Sequence, residues 1–363
     1  MIPYINFSYK NKLLSKSYNN KFKQFFKSGR YINGSELKIF EDKFSKYLDN
    51  KYSIGVASGT CALHLAIKHI RNLDKRNEVI TVSNSFIATA SSIIIGGCKP
   101  VFVDVANDMN IDCNKIEEAI NKKTLAIMPV HLTGRPALMD KILKIAKKYN
   151  LYVIEDAAQA IGSKYKNKKV GSFGHISAFS LHPLKNLNAF GDGGIISTNS
   201  KKIYDYFYKA RNHGLKNRDS CEFWSFNCRL DELQAGFLNE QIKILDKLIE
   251  LRIKIANFYN NELDGIVFVP KTNIDEYHSY QTYVIRAEKR DKLKEYLNKN
   301  GVEALIHYPN PIHLQKVKGG NFKKYDLSRT EKYAKEILSL PLYAGLNKKN
   351  QLKIVNLIKK FYN

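Results

Sequence analysis

The sequence has few cysteines, no long apolar run and no cluster of side chains with metal-ligand spacing. Five cysteines occur among 363 residues, and no Cys-x-x-Cys pair is present. An odd number without paired spacing argues against a disulfide framework and is typical of reduced thiols in a cytoplasm. No apolar run approaches the roughly 20 residues that span a bilayer, and the N-terminal segment lacks the apolar core of a signal peptide. We therefore expect a cytoplasmic protein without membrane association and without a metal ion.

Acidic residues are also scarce, with 34 Asp and Glu against 59 Lys and Arg, which gives a formal net charge of +25. Such an excess can indicate a phosphate-rich partner, either nucleic acid or a nucleotide-linked small molecule. It can equally indicate a general bias towards lysine. The lysines are spread along the chain, and no basic block or aromatic-interleaved basic stripe is present, which favours the general bias. We expect no nucleic-acid partner.

Short β-rich runs alternate with amphipathic helices through most of the chain, a pattern typical of a largely parallel sheet with crossover helices. We predict strands at residues 53–57, 78–82, 100–105, 125–130, 151–154, 178–180 and 194–197. Near residue 240 the pattern changes to one long helix, followed by strands at 267–269, 280–286 and 304–307 and further helices. The predicted fold class is α/β, with a large domain over residues 1–245 and a smaller α+β domain over residues 246–363. The first residues are predicted to form a loop, and Ser35 to cap a helix after it.

Three segments that follow predicted strands carry chemically useful side chains. In Ser58-Gly59-Thr60, small residues at a helix start leave N–H groups and a hydroxyl for an anion such as a phosphate, although such turns are common. Asp156 ends a strand, where a carboxylate can serve as a general base, a metal ligand or a partner for a cationic ring nitrogen. Lys185 lies in a loop, where lysine is normally solvated, but near such a carboxylate and a phosphate site it can form a Schiff base.

Together these segments predict a site for pyridoxal phosphate. The phosphate would bind Gly59, Thr60 and Ser180, and the aldehyde carbon would bind Lys185. The ring nitrogen would pair with Asp156, while Phe86 in the turn Ser-Asn-Ser-Phe would stack on one face of the ring. These are the groups that such a cofactor needs.

The chain resembles the nucleotide-sugar aminotransferases of the DegT/StrS type, which are pyridoxal phosphate enzymes of fold type I. The resemblance covers nearly the whole chain and is densest in VIEDAAQAIGSKYKNKKVGSFGHISAFSLHPLKNLNAFGDGG. Further matching strings, in the family's order, are SGTCALHLAI, FNCRLDELQAGFL, HYPNPIHLQ and LPLYAGL. The implied fold has a large domain, built on a mostly parallel mixed sheet flanked by helices, and a smaller C-terminal α+β domain.

The resemblance also implies residue roles. Lys185 looks like the Schiff-base lysine, Asp156 would keep the pyridine nitrogen protonated, and Gln159 would contact the ring hydroxyl. Asn227 resembles an asparagine that reaches the phosphate from the second subunit, which implies a homodimer with a shared active site. Candidate substrate contacts are His182, His307, Tyr308 and His313.

The resemblance leaves the substrate open. Many relatives have Gly where Asn188 stands, and His182 varies within the family. Relatives with His in place of Lys185 are dehydratases, so Lys185 favours transamination with glutamate as the amino donor. The HYPNPIHLQ loop favours a 3-keto-6-deoxy sugar on a dTDP carrier, made for a surface polysaccharide or lipopolysaccharide. The alternatives are a 4-keto sugar on a UDP or GDP carrier and a small phosphorylated ketone.

Overall fold

The structure, a computed structural model, describes residues 1–317 and 325–363. The helices are α1 (Ser8–Ser28), α2 (Ser35–Leu48), α3 (Gly59–Leu73), α4 (Ile87–Ile95), α5 (Ile116–Ala119), α6 (Met139–Lys148), α7 (Lys201–Ala210), α8 (Glu232–Gln241), α9 (Leu245–Leu263), α10 (Arg290–Lys299), α11 (Ser328–Glu336) and α12 (Lys348–Tyr362). The strands are β1 (Tyr52–Val56), β2 (Glu78–Val82), β3 (Lys99–Val103), β4 (Thr124–Ile127), β5 (Tyr152–Asp156), β6 (Lys164–Tyr165), β7 (Lys168–Lys169), β8 (Ile176–Ser180), β9 (Gly194–Thr198), β10 (Leu215–Asn217), β11 (Ser220–Cys221), β12 (Glu276–Tyr277), β13 (Tyr283–Arg286) and β14 (Ile337–Leu340).

Seven strands form the central sheet in the order β1-β9-β8-β5-β4-β2-β3. Strand β9 pairs antiparallel with both of its neighbours, and the pairs among β8, β5, β4, β2 and β3 are parallel. The predicted α/β class with a mostly parallel mixed sheet is confirmed. Because parallel strands end at the same edge, the segments after β1, β2, β5 and β8 meet there.

Helices cover both faces of this sheet, since alternate strand residues point to opposite sides. On β5, Val153 packs in a cluster with Met139 and Ile142 of α6. Its neighbour Ile154 packs in another cluster, with Leu63 of α3. A strand buried on both faces is expected to be apolar throughout. The run YVIED of β5 is apolar except for its last two residues.

A separate apolar cluster lies in the C-terminal part of the chain. It is built around Tyr259 of α9 and Tyr283 of β13, and it includes side chains of α10, β14 and α12. Ile2 belongs to the same cluster, because the first residues run beside Val302. The boundary between residues 245 and 246 stays a prediction.

Several local predictions were wrong. The segments 267–269 and 304–307 make only the isolated bridges Phe268–Arg286 and Leu305–Ser339 rather than strands. By contrast, the long helix predicted for the run IKILDKLIELRIKIANFYNNEL is present as α9, apart from its first three residues, which form a 3₁₀ turn at Ile242–Ile244. The N-terminal segment expected to be a loop contains α1, which buries only Lys10, Leu14 and Tyr18 and so has a weak apolar periodicity.

The start of α2 shows why its cap was misassigned. The Glu232 carboxylate accepts the N–H groups of Gly34 at 2.9 Å, Glu36 at 2.6 Å and Leu37 at 3.2 Å. Capping by a carboxylate almost 200 residues away replaces the local Ser35 cap, and sequence spacing does not reveal it.

Within the described ranges, no helix has both the length and the hydropathy needed to cross a membrane.

Candidate active site

A cavity of about 440 Å³ opens at the sheet edge where β1, β2, β5 and β8 end. Ten of the twelve predicted site residues line it: Gly59, Thr60, Phe86, Asp156, Gln159, Ser180, His182, Lys185, His307 and Tyr308. The parallel topology brings them together from five segments that are far apart in sequence. The cavity is therefore the candidate active site.

One wall of the cavity is the N-terminus of α3. The Ser58 hydroxyl caps this helix by accepting the Cys61 N–H at 3.1 Å, and helical geometry leaves the N–H groups of Gly59 and Thr60 without an intrahelical acceptor. A Cβ at Gly59 would lie 2.8 Å from the Ser180 Cβ, so only glycine allows this close approach of α3 to β8. The result is a small, positively polarised recess suited to a phosphate.

Asp156 lies at the floor of the cavity and is only 4% exposed. Its Oδ2 accepts a hydrogen bond from the Thr89 hydroxyl at 2.8 Å, and its Oδ1 accepts the Ala158 N–H at 3.3 Å. Burial raises the pKa of Asp156 above its ordinary value, while the bond from Thr89 and the charge of Lys185 oppose that rise. The carboxylate is thus held in one orientation facing a cation.

Lys185 follows β8 in a turn closed by its N–H, which donates to the His182 carbonyl at 2.9 Å. Its side chain lines the cavity and is otherwise surrounded by protein atoms. Burial lowers the pKa of Lys185 to about 8, although the negative charge of Asp156 acts in the opposite direction. With this pKa, roughly a tenth of the amine is neutral at pH 7, far more than for an ordinary lysine, and a nucleophile or a general base needs this neutral form.

Gln159 and two aromatic rings complete the cavity near Asp156. Gln159 Oε1 accepts the Thr133 N–H at 2.7 Å, and its Nε2 donates to the Tyr308 hydroxyl at 3.3 Å. The Phe86 ring is 52% exposed and lies 5.5 Å from the Tyr308 ring, between centroids. A flat ligand ring beside Phe86 would therefore have an aromatic face on one side.

Two histidines lie on the cavity wall with different surroundings. His182 is exposed, and its Nδ1 accepts the Leu184 N–H at 3.2 Å. His307 bonds the Ser339 hydroxyl through Nδ1 at 2.9 Å. Burial, together with the charge of Lys185, lowers the pKa of His307 to about 4. His307 is therefore neutral at neutral pH and offers Nε2 as a hydrogen-bonding group rather than as a cation.

The family model for the DegT/DnrJ/EryC1/StrS aminotransferases matches residues 13–359. The chain belongs to this aminotransferase family. The predicted resemblance and the predicted enzyme class are thereby confirmed.

Similar proteins from other organisms carry several different functional names. A Geobacillus stearothermophilus protein named pleiotropic regulatory protein is 41% identical over 342 residues, covering 93% of this chain and 92% of that protein. An Aneurinibacillus thermoaerophilus dTDP-3-amino-3,6-dideoxy-alpha-D-galactopyranose transaminase is 37% identical, covering 99% of both. Others are named for sugars on UDP or GDP.

Solved structures agree with this assignment over the whole chain. The crystal structure of S. venezuelae DesV, described as a complex with a ketimine intermediate, has a TM-score of 0.96 and 33% identity, and covers 100% of this chain and 98% of that one. The structure of NtdA from Bacillus subtilis, described with bound cofactor PMP, has a TM-score of 0.89 and 30% identity, and covers 95% and 81%.

Two predicted site residues of this aminotransferase lie outside the cavity wall. His313 is bound on both sides, because its Nδ1 pairs with the Ser83 hydroxyl at 2.7 Å and its Nε2 lies 3.2 Å from a Glu331 oxygen. Asn227 is exposed on a segment whose backbone bridges to Asn212. A contact between Asn227 and a phosphate in a second subunit stays a prediction.

Sequence reasoning missed several residues that line the cavity. They are Tyr4, Ser85, Thr89, Thr133, Gln281 and Thr282. Tyr4 arrives from the N-terminus, and its hydroxyl lies 3.3 Å from the Thr282 hydroxyl. Gln281 donates from Nε2 to the Leu184 carbonyl at 3.0 Å and so supports the turn that carries Lys185. Ser85 lies within the turn Ser-Asn-Ser-Phe noted in the sequence, and Thr89 follows that turn by three residues.

Glu155, next to Asp156, has a structural role. It is fully buried, and its carboxylate accepts the N–H groups of Gly171 at 2.7 Å, Phe173 at 2.8 Å and Gly174 at 2.7 Å. Burial acts to raise the pKa of Glu155, but hydrogen bonds from His131 and the backbone outweigh it and hold the pKa below its ordinary value. Glu155 fixes the loop before β8, whereas Asp156 faces the cavity.

Among the described residues, no group of three or more His, Cys, Asp or Glu could hold a metal ion.

Proposed function

We propose that the protein uses pyridoxal phosphate to transfer an amino group from glutamate to a keto sugar carried on a nucleotide diphosphate. The observation that carries this proposal is the placement of Lys185, Asp156 and the α3 N-terminus around one cavity. The preferred substrate is a dTDP-linked 3-keto-6-deoxyhexose. The name of the Aneurinibacillus relative, which is 37% identical over nearly the full chain, supports that choice.

The residues present fit the cofactor. The Gly59 and Thr60 N–H groups and the Ser180 hydroxyl would hold its phosphate, Asp156 its ring nitrogen and Gln159 its ring hydroxyl, with Phe86 against the ring face. A Cβ at position 59 would meet the Ser180 Cβ at 2.8 Å, so glycine is what lets the start of α3 and the Ser180 hydroxyl lie close enough to serve one phosphate. The NtdA structure is described with bound cofactor PMP, the aminated form of pyridoxal phosphate, which agrees with this choice.

When bound, pyridoxal phosphate supplies an aldehyde that takes up the amino group and a ring that withdraws electrons from the carbon being deprotonated. Lys185 Nζ would attach to the cofactor in the resting enzyme and be released when the amino donor binds. Neutral Nζ would then remove the proton from the α-carbon of the donor. When the keto sugar reacts in its turn, Nζ would deliver a proton to the sugar carbon that receives the nitrogen. Asp156 would keep a positive charge on the ring nitrogen by staying ionised beside it.

The rate of cofactor capture should depend on pH through Lys185. Because burial lowers the pKa of Lys185 to about 8, the neutral amine increases as pH rises through that value and the ammonium prevails below it. We expect the association rate of pyridoxal phosphate with the apoenzyme to fall about tenfold for each pH unit below 7. Stopped-flow absorbance measures this rate, and a flat profile from pH 6 to 9 would contradict the assignment.

A panel of keto sugars tests the substrate. We expect kcat/KM with the dTDP-linked 3-keto-6-deoxyhexose to exceed that with 4-keto sugars on UDP or GDP by at least about tenfold. Formation of 2-oxoglutarate from glutamate reports the donor half-reaction separately. Turnover only with a 4-keto sugar, or with a small phosphorylated ketone, would replace the sugar assignment and leave the aminotransferase chemistry intact. Elimination of water without amine transfer would indicate a dehydratase, which the presence of Lys185 argues against.

We further propose that the enzyme is a homodimer in the cytoplasm and supplies an amino sugar for a surface polysaccharide. Five unpaired cysteines support the compartment. Exposed Trp224 and Phe226, at 96% and 59%, support a subunit contact beside Asn227.

Mixed dimers test whether Asn227 serves the site of its partner. A Lys185→Ala subunit and an Asn227→Ala subunit, denatured and reassembled together, should recover about a quarter of the wild-type activity, because each hybrid holds one site with both residues intact. Each variant alone is the control. No recovery above the sum of the controls would show that Asn227 acts within its own subunit or not at all.

A further inference from the structure

A chain of two hydroxyl groups ends on the Asp156 carboxylate. The Ser85 Oγ lies 2.8 Å from the Thr89 Oγ1, and the Thr89 Oγ1 lies 2.8 Å from Asp156 Oδ2. All three residues are buried, with exposures of 3%, 1% and 4%. Buried hydroxyls in a chain polarise one another, so each bond strengthens the next.

The direction of this chain follows from the acceptor at its end. An ionised carboxylate only accepts hydrogen bonds, so the Thr89 hydroxyl donates its hydrogen to Asp156. The Thr89 oxygen then accepts from Ser85. Both hydroxyls therefore act as donors toward the carboxylate.

The fold brings these groups together across the sheet edge. Ser85 follows β2, Thr89 lies in the first turn of α4, and Asp156 ends β5, which is separated from β2 by β4. Phe86 precedes α4, so one turn supplies both the aromatic ring at the cavity and the donor to Asp156. A change in the position of α4 would move both together.

We propose that Thr89, polarised by Ser85, is a positioning residue that holds the Asp156 carboxylate ionised and aimed at the ring nitrogen of the cofactor. This inference rests on the proposed function. Burial favours the protonated form of Asp156, and a protonated acid could not keep a positive charge on the ring. The bond from Thr89 opposes this effect, and it also fixes Oδ2 so that the carboxylate cannot rotate.

Three variants test the chain of hydroxyls. Thr89→Val keeps the shape and removes the donor, Thr89→Ser keeps the donor, and Ser85→Ala removes only the polarising group. A hydrogen bond to a charged group corresponds to a change of about 10- to 100-fold in an equilibrium or a rate. We expect Thr89→Val to weaken pyridoxal phosphate binding and lower kcat by that range, with KM for the sugar changed less than about twofold. Thr89→Ser should restore both, and Ser85→Ala should give a smaller loss in the same direction.

Thr81→Val is the matched control, because Thr81 is also buried and its hydroxyl donates to the Met128 carbonyl at 2.8 Å rather than to Asp156. It should lower the melting temperature without changing cofactor affinity.

Absorbance titration of the apoenzyme gives the affinity without any substrate. Wild-type affinity and kcat in Thr89→Val would overturn the inference, as would losses in Thr89→Ser equal to those in Thr89→Val. If Thr89→Val does not fold, an unchanged Ser85→Ala together with an impaired Thr89→Ser overturns it. Absence of cofactor binding by the wild type would instead overturn the proposed function.

Discussion

Replacing Lys185 with alanine should abolish covalent capture of the cofactor and lower turnover by at least about 10³-fold. The expected loss is large because one amine serves as both the attachment point and the proton carrier, and acid–base catalysis alone contributes about 10²- to 10⁴-fold. Reduction with borohydride followed by peptide mass analysis detects the attachment. The wild type should carry the cofactor on the peptide containing Lys185, and the variant should carry none.

Lys169 provides the matched control for this experiment. Burial lowers the pKa of Lys169 to about 8 as well. Its Nζ, however, lies 3.1 Å from the centroid of the Tyr47 ring and not in the cavity. Lys169→Ala should therefore retain capture and activity within about twofold of the wild type, because reactivity requires the phosphate recess and Asp156 as well as a lowered pKa. Labelling of Lys169 in place of Lys185 would contradict the site.

Replacing Glu155 with alanine should lower the free energy of unfolding by about 3 kcal/mol or more. The change leaves the buried N–H of Gly171, the partly buried N–H groups of Phe173 and Gly174 and the His131 ring N–H without their acceptor. Each fully buried group without a partner costs about 1–3 kcal/mol. Urea unfolding followed by circular dichroism measures the loss. Since the folded pKa of Glu155 is held low, its stabilising contribution is present above the unfolded pKa and is lost as pH falls through the folded one.

Asp156→Asn separates the roles of the two neighbouring acids. This variant keeps the shape of the side chain, so its unfolding free energy should stay within about 1 kcal/mol of the wild type, while cofactor affinity and kcat fall. A stability loss in Asp156→Asn equal to that in Glu155→Ala would mean that both acids are structural.

The parts of the site that the sequence could predict are those in which one local segment contains the whole signal. A strand followed by Ser58-Gly59-Thr60 and a helix specifies an anion recess from neighbouring residues alone. Asp156 at the end of an apolar run is placed at the sheet edge by the parallel topology. The fold class follows from the same alternation of strands and helices.

The missed parts depend on contacts between distant residues. Thr89 meets Asp156 across 67 positions, and Tyr4 meets Thr282 across 278. Glu232 caps α2 across almost 200 positions. Threonine in a helix and tyrosine near a terminus have no local pattern that distinguishes such partners from solvent, so only the folded chain reveals them.

The pairing of the N-terminal residues has a consequence for synthesis on the ribosome. Ile2 donates its N–H to the Gly301 carbonyl at 2.7 Å and accepts the Glu303 N–H at 3.0 Å. At translation rates of about 5–20 residues per second, the partners of Ile2 emerge roughly 15–60 s after it does. The cavity wall that contains Tyr4 and His307 therefore closes only after the chain has been synthesised past residue 307. Until then, the first residues of the nascent chain must not pair with other strands, and the cavity around Lys185 is incomplete.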